Sequence, residues 1–211
     1  MLLALRASGR ASERKLRLFA VACCRLLLRR VHVVASAEHA VDVAERYADG
    51  AASVAELRGV LRYANSTAEH ACMNAADQEA GTVMADCAAG NAAWAAMQPG
   101  TVMPNDNGRS AARLAAEEAR QSDLLRCIVG PVLFRPLPPV APAVLAWNGG
   151  IAGRLAAGVY DERDYTQGRM GVLADAAEEA GLADAELLAH LRGPGPHARG
   201  CWGVDLLLGR E

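Results

Sequence analysis

Aromatic side chains are scarce in this sequence, with two phenylalanines, four tyrosines and three tryptophans in 211 residues. Isoleucine and threonine are also thin, so the residues that favour a pleated, half-buried surface are largely missing. No run of about 18 consecutive apolar residues occurs, and nothing here reads as a membrane-spanning helix. Absent too are a phosphate-binding glycine loop, a dinucleotide-binding glycine turn, a Gly-x-Ser-x-Gly nucleophile elbow and a metalloprotease helix motif. These gaps remove the best-marked enzyme classes, and no catalytic residue is assigned. No self-similarity at about 30–45 residues is visible, which leaves a helical solenoid unsupported.

What fills the chain instead is alanine and leucine, the strongest helix formers. Small side chains let helix backbones approach closely, so the expected fold is all-α. It is an irregular multi-helix bundle with a proline-rich strap and short C-terminal helices. A chain of this length buries about 70 % of its unfolded surface and needs no disulfide or metal in order to fold.

The six cysteines are Cys23, Cys24, Cys72, Cys87, Cys127 and Cys201. Five lie in helical patterns among alanines and leucines, where a free thiol behaves as a small hydrophobe. Reduced, buried thiols are therefore expected, and with them a cytoplasmic setting. The first thirty residues carry Arg6, Arg10, Arg14, Lys15, Arg17, Arg25, Arg29 and Arg30 against Glu13 alone. Such a start is reminiscent of an organellar transit peptide. Yet Leu16, Leu18, Phe19, Cys23, Leu26 and Leu27 form an apolar stripe suited to a core helix, which is the expectation adopted.

Ser12 is placed as the N-cap of a first helix running to about Arg30, and Ser36 as the cap of a second, through Tyr47. Ser53-Val54-Ala55-Glu56 reads as a capping box. From there to about Met97 the chain is helix-forming, expected as two antiparallel helices. Residues 98–109 are the most polar, turn-rich stretch and the expected flexible loop. Ser110 then opens a long helix to about Ile128. Pro131, Pro136, Pro138, Pro139 and Pro142 turn residues 129–143 into an extended strap. Short helices follow at about 143–147, 150–161, 169–180, 184–192 and 201–208. The expected organisation is an N-terminal bundle, 1–128, and a strap with short helices, 129–211, packed as one unit.

Several segments resemble a large paralogous family of planctomycete bacteria. They are Ser12-Glu13-Arg14-Lys15-Leu16-Arg17-Leu18-Phe19-Ala20, then Ala22-Cys23-Cys24-Arg25, and Val43-Ala44-Glu45-Arg46-Tyr47-Ala48-Asp49-Gly50. Gln121-Ser122-Asp123-Leu124-Leu125-Arg126, Ala157-Gly158-Val159-Tyr160-Asp161-Glu162-Arg163 and Leu173-Ala174-Asp175-Ala176 are similar to it as well. The most specific segment is Arg192-Gly193-Pro194-Gly195-Pro196-His197-Ala198-Arg199-Gly200-Cys201-Trp202, with Asp205-Leu206-Leu207-Leu208-Gly209 after it. The resemblance implies a helical fold and a bacterial origin, and carries no activity. Two departures stand out: the family usually has a further N-terminal segment, making Met1 a candidate alternative start, and a shorter turn where this chain has Val132-Leu133-Phe134.

Four functional readings follow. The leading one is a non-catalytic interaction or regulatory module whose partner is another protein, with no cofactor. The second is a small anion or ligand site at Arg192, His197, Arg199, Trp202 and Asp205, where two arginines near a helix N-terminus would hold negative charge and His197 could move a proton. Its structural counterpart is a tight interhelical turn, with Trp202 in the core and the arginines paired to Asp205 or Glu186. The third is zinc binding by His190, His197 and Cys201, which lacks a fourth ligand unless Cys23 or Cys24 supplies it through tertiary contact. The last is nucleic-acid binding by the basic first helix, against a whole chain at net charge −2. There the arginines are expected to pair with Glu38, Asp42 and Glu45 instead. Trp94 and Trp147 are expected as core anchors, and Tyr160 to Tyr165 as a charged, solvated helix end.

Overall fold

A computed structural model describes residues 11–28, 35–60, 109–130 and 139–210. Among them are eight α-helices and no strand: α1 (Glu13–Leu28), α2 (Ala35–Ala48), α3 (Val54–Val60), α4 (Arg109–Val129), α5 (Pro142–Glu162), α6 (Gln167–Glu179), α7 (Ala185–Arg192) and α8 (Trp202–Leu208). The all-α expectation holds. The segments expected as the rest of an antiparallel helix pair after Val60, as a loop before Arg109 and as most of the proline strap lie outside the described residues, as do Cys72, Cys87 and Trp94. The chain forms two compact units, Met1–Ser122 and Asp123–Glu211. The division falls inside α4, so the last turns of that helix belong to the second unit.

In the first unit, Ser12 caps α1 by accepting the Lys15 N–H on Oγ at 3.2 Å. The expected stripe of Leu16, Leu18, Phe19 and Cys23 is buried, and Arg17 is buried with it. α1 packs on α2, and α2 on α3. α2 begins at Ala35, so Ser36 lies inside its first turn and not ahead of it. The capping box closes in both directions: the Glu56 N–H donates to Ser53 Oγ at 3.1 Å, and the Ser53 N–H to Glu56 Oε2 at 2.8 Å. The arginines of α1 meet the acidic residues of α2, as their sequence complementarity suggests. Arg14 binds Asp49 at 3.1 Å, and Arg25 binds Asp42 and the buried Glu45.

The second unit has its own apolar core, which includes Tyr160, Met170, Leu173, Leu187, Leu191 and Trp202. Helix α5 starts on Pro142, where a missing N–H costs nothing, and breaks at Trp147–Gly150. Asn148, Gly149 and Gly150 there have positive φ (47°, 66° and 76°), which Asn-Gly-Gly tolerates and most residues do not. The break corrects one expectation: Trp147 is 38 % exposed and not a core anchor, because the chain leaves the helix at its position. Tyr160 is corrected in the other direction. It is fully buried, while its neighbours Asp161 and Glu162 face solvent. Asp184 caps α7 by accepting the Glu186 and Leu187 N–H groups at 3.0 and 2.9 Å. Helix α8 packs against α5 and α7 and ends on Gly209 in the left-handed region. A Cβ at Gly203 would stand 2.8 Å from Leu187 Cδ1, so α8 lies on α7 closely enough that any larger residue there must displace leucine side chains. Likewise a Cβ at Gly130 would meet the Trp202 ring at 3.1 Å, which seats the end of α4 against the start of α8.

Candidate metal centre

Three elements of the second unit end at one place. His190 lies in the last turn of α7, Cys201 is the N-cap of α8, and Cys127 lies in the last turns of α4. His197 comes from the non-helical segment between α7 and α8. That segment leaves α7 with the Gly193 N–H bonded to the His190 carbonyl and enters α8 with the Cys201 N–H bonded to the Ala198 carbonyl. Between these points Gly195 takes φ +84°, and a Cβ there would sit 2.7 Å from the His197 nitrogen. Pro194 and Pro196 remove N–H groups that would otherwise need partners. The Gly-Pro-Gly-Pro stretch thus doubles the chain back and turns His197 toward its two flanking helix ends.

Cys127 Sγ, His190, His197 and Cys201 Sγ then present one donor atom each, all within 4.8 Å of one another. His190 Nε2 is 3.2 Å from Cys201 Sγ, Cys127 Sγ is 3.7 Å from His197 Nδ1, and Cys201 Sγ is 4.0 Å from the same nitrogen. A tetrahedral zinc site with Zn–S of about 2.3 Å and Zn–N of about 2.0–2.1 Å has donor-to-donor edges of about 3.3–3.8 Å. The three sulfur-to-nitrogen separations bracket those edges, and the widest separation in the set, up to 4.8 Å, would close by about 1 Å around an ion. Two thiols and two imidazoles also match the ligand chemistry of borderline-soft zinc.

The surroundings fix how the donors point. His197 Nε2 donates to the Gly193 carbonyl at 3.2 Å, since a carbonyl only accepts, while Nδ1 is the ring nitrogen that faces the sulfurs. The His190 ring is held between the edge of His197, at 4.9 Å, and the tilted face of Trp202, at 5.0 Å. Burial by itself would raise the Cys201 thiol pKa. Hydrogen bonding with Cys127, His190 and His197 and the charge of His190 outweigh it and hold the thiol well below its ordinary value. Burial opposes charge on His197 as well, yet its bond to Cys201, that group's charge and the Gly193 carbonyl raise its pKa. The cluster therefore favours a thiolate on Cys201, the form in which sulfur ligates a metal. A cleft of about 190 Å³ reaches the cluster from the surface, lined by Asp123, Arg126, Cys127, His190, His197 and the Gly-Pro turn.

The other residues singled out by sequence are dispersed. Arg192 binds Asp175 at 2.7 Å and also Glu178, both on α6, and not Asp205 or Glu186. The Arg199 guanidinium lies 4.3 Å from the centre of the Tyr160 ring. Trp202 and Asp205 are buried in α8, and only His197 of the five-residue ligand set lines the cleft. The metal triad of His190, His197 and Cys201 does come together. Its fourth member is Cys127, which by its sequence surroundings reads as a small core residue; Cys23 and Cys24 are buried in the first unit. The one signal for Cys127 was its position: it is the only other cysteine of the second unit, placed just before a helix ends at Gly130.

No protein-family model, curated protein or solved structure matches the chain.

Proposed function

We propose that this chain is a non-catalytic helical module whose C-terminal unit is organised around a structural zinc ion bound by Cys127, His190, His197 and Cys201. The observation that carries the proposal is the convergence of four donor atoms within 4.8 Å, spaced close to the edges of a zinc tetrahedron. Four protein ligands close the coordination shell, whereas catalytic zinc keeps a position open for water or substrate. The ion would tie the end of α4, the end of α7 and the start of α8 together. Zinc binding in small finger peptides is worth about 10–16 kcal/mol, and here it would add to an existing apolar core. The module's partner is proposed to be another protein. Nucleic acid is disfavoured, because Arg14 and Arg25 of the basic helix are matched by Asp49, Asp42 and Glu45. A reducing, cytoplasmic setting fits the free thiols at Cys23, Cys24, Cys127 and Cys201. Membership of the planctomycete family stays a proposal resting on the Arg192–Trp202 motif.

Elemental analysis of protein prepared without metal-affinity steps tests the reading. One zinc per chain is expected, reduced to background in Cys127→Ser and retained in Cys24→Ser. Cobalt substitution should produce the intense visible bands of a tetrahedral, thiolate-ligated site. A chain that takes up no zinc, or a Cys127→Ser variant that holds as much as the parent, would overturn it.

A further inference from the structure

We infer that the zinc site is also a peroxide-responsive release point, at which oxidation joins Cys127 to Cys201 and expels the metal. The inference rests on the zinc reading above and adds how the site is regulated.

Three features of the site carry it. The two sulfurs belong to a donor set no more than 4.8 Å across, and a disulfide holds its sulfurs about 2.05 Å apart, so closure asks for a movement of less than about 3 Å. Both cysteines stand near helix ends. Cys127 is in the last turns of α4, three residues before Gly130, and Cys201 is an N-cap directly after Gly200; both glycines have φ +88°. Neither cysteine is locked in the middle of a helix. Finally, the two cysteines differ in placement: both are buried, but Cys127 lines the surface cleft and Cys201 does not. A water molecule occupies about 30 Å³ of liquid, so a cleft of about 190 Å³ admits a peroxide.

That difference orders the chemistry. The Cys127 thiolate attacks a peroxide oxygen: an S–O bond forms, the O–O bond breaks, and the departing hydroxide takes a proton to become water. The Cys201 thiolate then attacks the sulfenic sulfur of Cys127. The S–S bond forms, the S–O bond breaks, and a second hydroxide leaves and is protonated. In total two thiolates lose two electrons, one hydrogen peroxide becomes two waters, and two protons are consumed. The metal loses both anionic ligands and keeps only two neutral imidazoles, too few to retain it. His190 and His197 are then freed, and with them the Gly-Pro turn beside the cleft, while α4 and α8 stay joined covalently. A dithiol reductant reverses the change.

The test uses the full chain loaded with zinc. Hydrogen peroxide is added beside a chromogenic zinc chelator, remaining thiols are then blocked, and the cysteine peptides are mapped by mass spectrometry. The expected result is release of one equivalent of zinc, with a linked Cys127–Cys201 peptide, and recovery of zinc binding after dithiothreitol and added zinc. Mapping the parent protein avoids variants that fail to fold. Retention of zinc under peroxide overturns the inference and leaves the structural site standing. Release accompanied by sulfinic acid at Cys127, or by a disulfide to any other cysteine, overturns it too. A chain that carries no zinc at the outset overturns both readings.

Discussion

Cys127 Sγ lies 3.7 Å from His197 Nδ1, although seventy positions separate the two residues in the chain. Their encounter joins the end of α4 to the turn between α7 and α8. On the proposed zinc reading, removing the metal should loosen that junction. Chelation is expected to lower the melting temperature, by an amount that shrinks as free zinc rises; a ligand at 1,000 times its Kd stabilises by about 4 kcal/mol. Acid should act in the same direction, because protons compete with the metal for imidazole and thiolate. Trp202, packed on the His190 ring, is the reporter: tryptophan emission should change on chelation and cease to respond in Trp202→Phe. Identical melting curves with and without chelator would contradict this.

Gly195 tests the turn without touching a donor atom. At φ +84° an alanine Cβ would collide with the His197 nitrogen at 2.7 Å, so Gly195→Ala must distort the backbone that aims His197. Residues forced into such regions cost about 1–3 kcal/mol, and zinc affinity should fall about 10- to 100-fold. Competition against a chelator of known affinity measures it. Unchanged affinity would mean that the turn does not position the ligand.

Asp184 holds the start of the helix that carries His190. Replacing it with alanine leaves the Glu186 and Leu187 N–H groups without their acceptor and should cost about 0.5–2 kcal/mol in urea unfolding. Glu186→Ala, two residues on and exposed, leaves that acceptor in place and should cost less.

The contact between α7 and α8 is filled to its limit at Gly203. An added methyl meets Leu187 at 2.8 Å and Leu191 at 3.0 Å, so Gly203→Ala should destabilise by about 1–3 kcal/mol through overpacking. Because His190 Cδ2 is also 3.4 Å from the new carbon, zinc affinity should drop alongside stability. A stable variant with undisturbed zinc binding would show that the helices separate freely.

Arg192 distinguishes a surface clamp from an anion site. It is held by Asp175 and Glu178 on α6, which raise its pKa through hydrogen bonds and occupy the face an anion would need. The Arg192→Ala melting temperature should stay near that of the parent, since exposed ion pairs contribute little, and sulfate should shift both proteins equally. Sulfate stabilisation present in the parent and lost in the variant would restore the anion reading.

Most helix ends among the described residues were determined by the sequence itself, the start of α2 excepted. Alanine and leucine favour helix at every position they occupy, and the caps at Ser12, Ser53 with Glu56, Asp184 and Gly209 act over no more than a few residues. The Gly-Pro turn was legible for the same reason, and so were three candidate donors crowded between His190 and Cys201. Tertiary structure decided the rest. Among free thiols flanked by alanines and leucines, Cys23, Cys24 and Cys127 look alike, and only packing puts Cys127 opposite the imidazoles. Trp147 is exposed and Tyr160 buried because a break in α5 sets which way each faces, and Arg192 meets Asp175 and Glu178 because α7 lies on α6. Local propensity fixes where a helix begins and stops, but a metal site needs donors that only the closing of distant chain segments brings together.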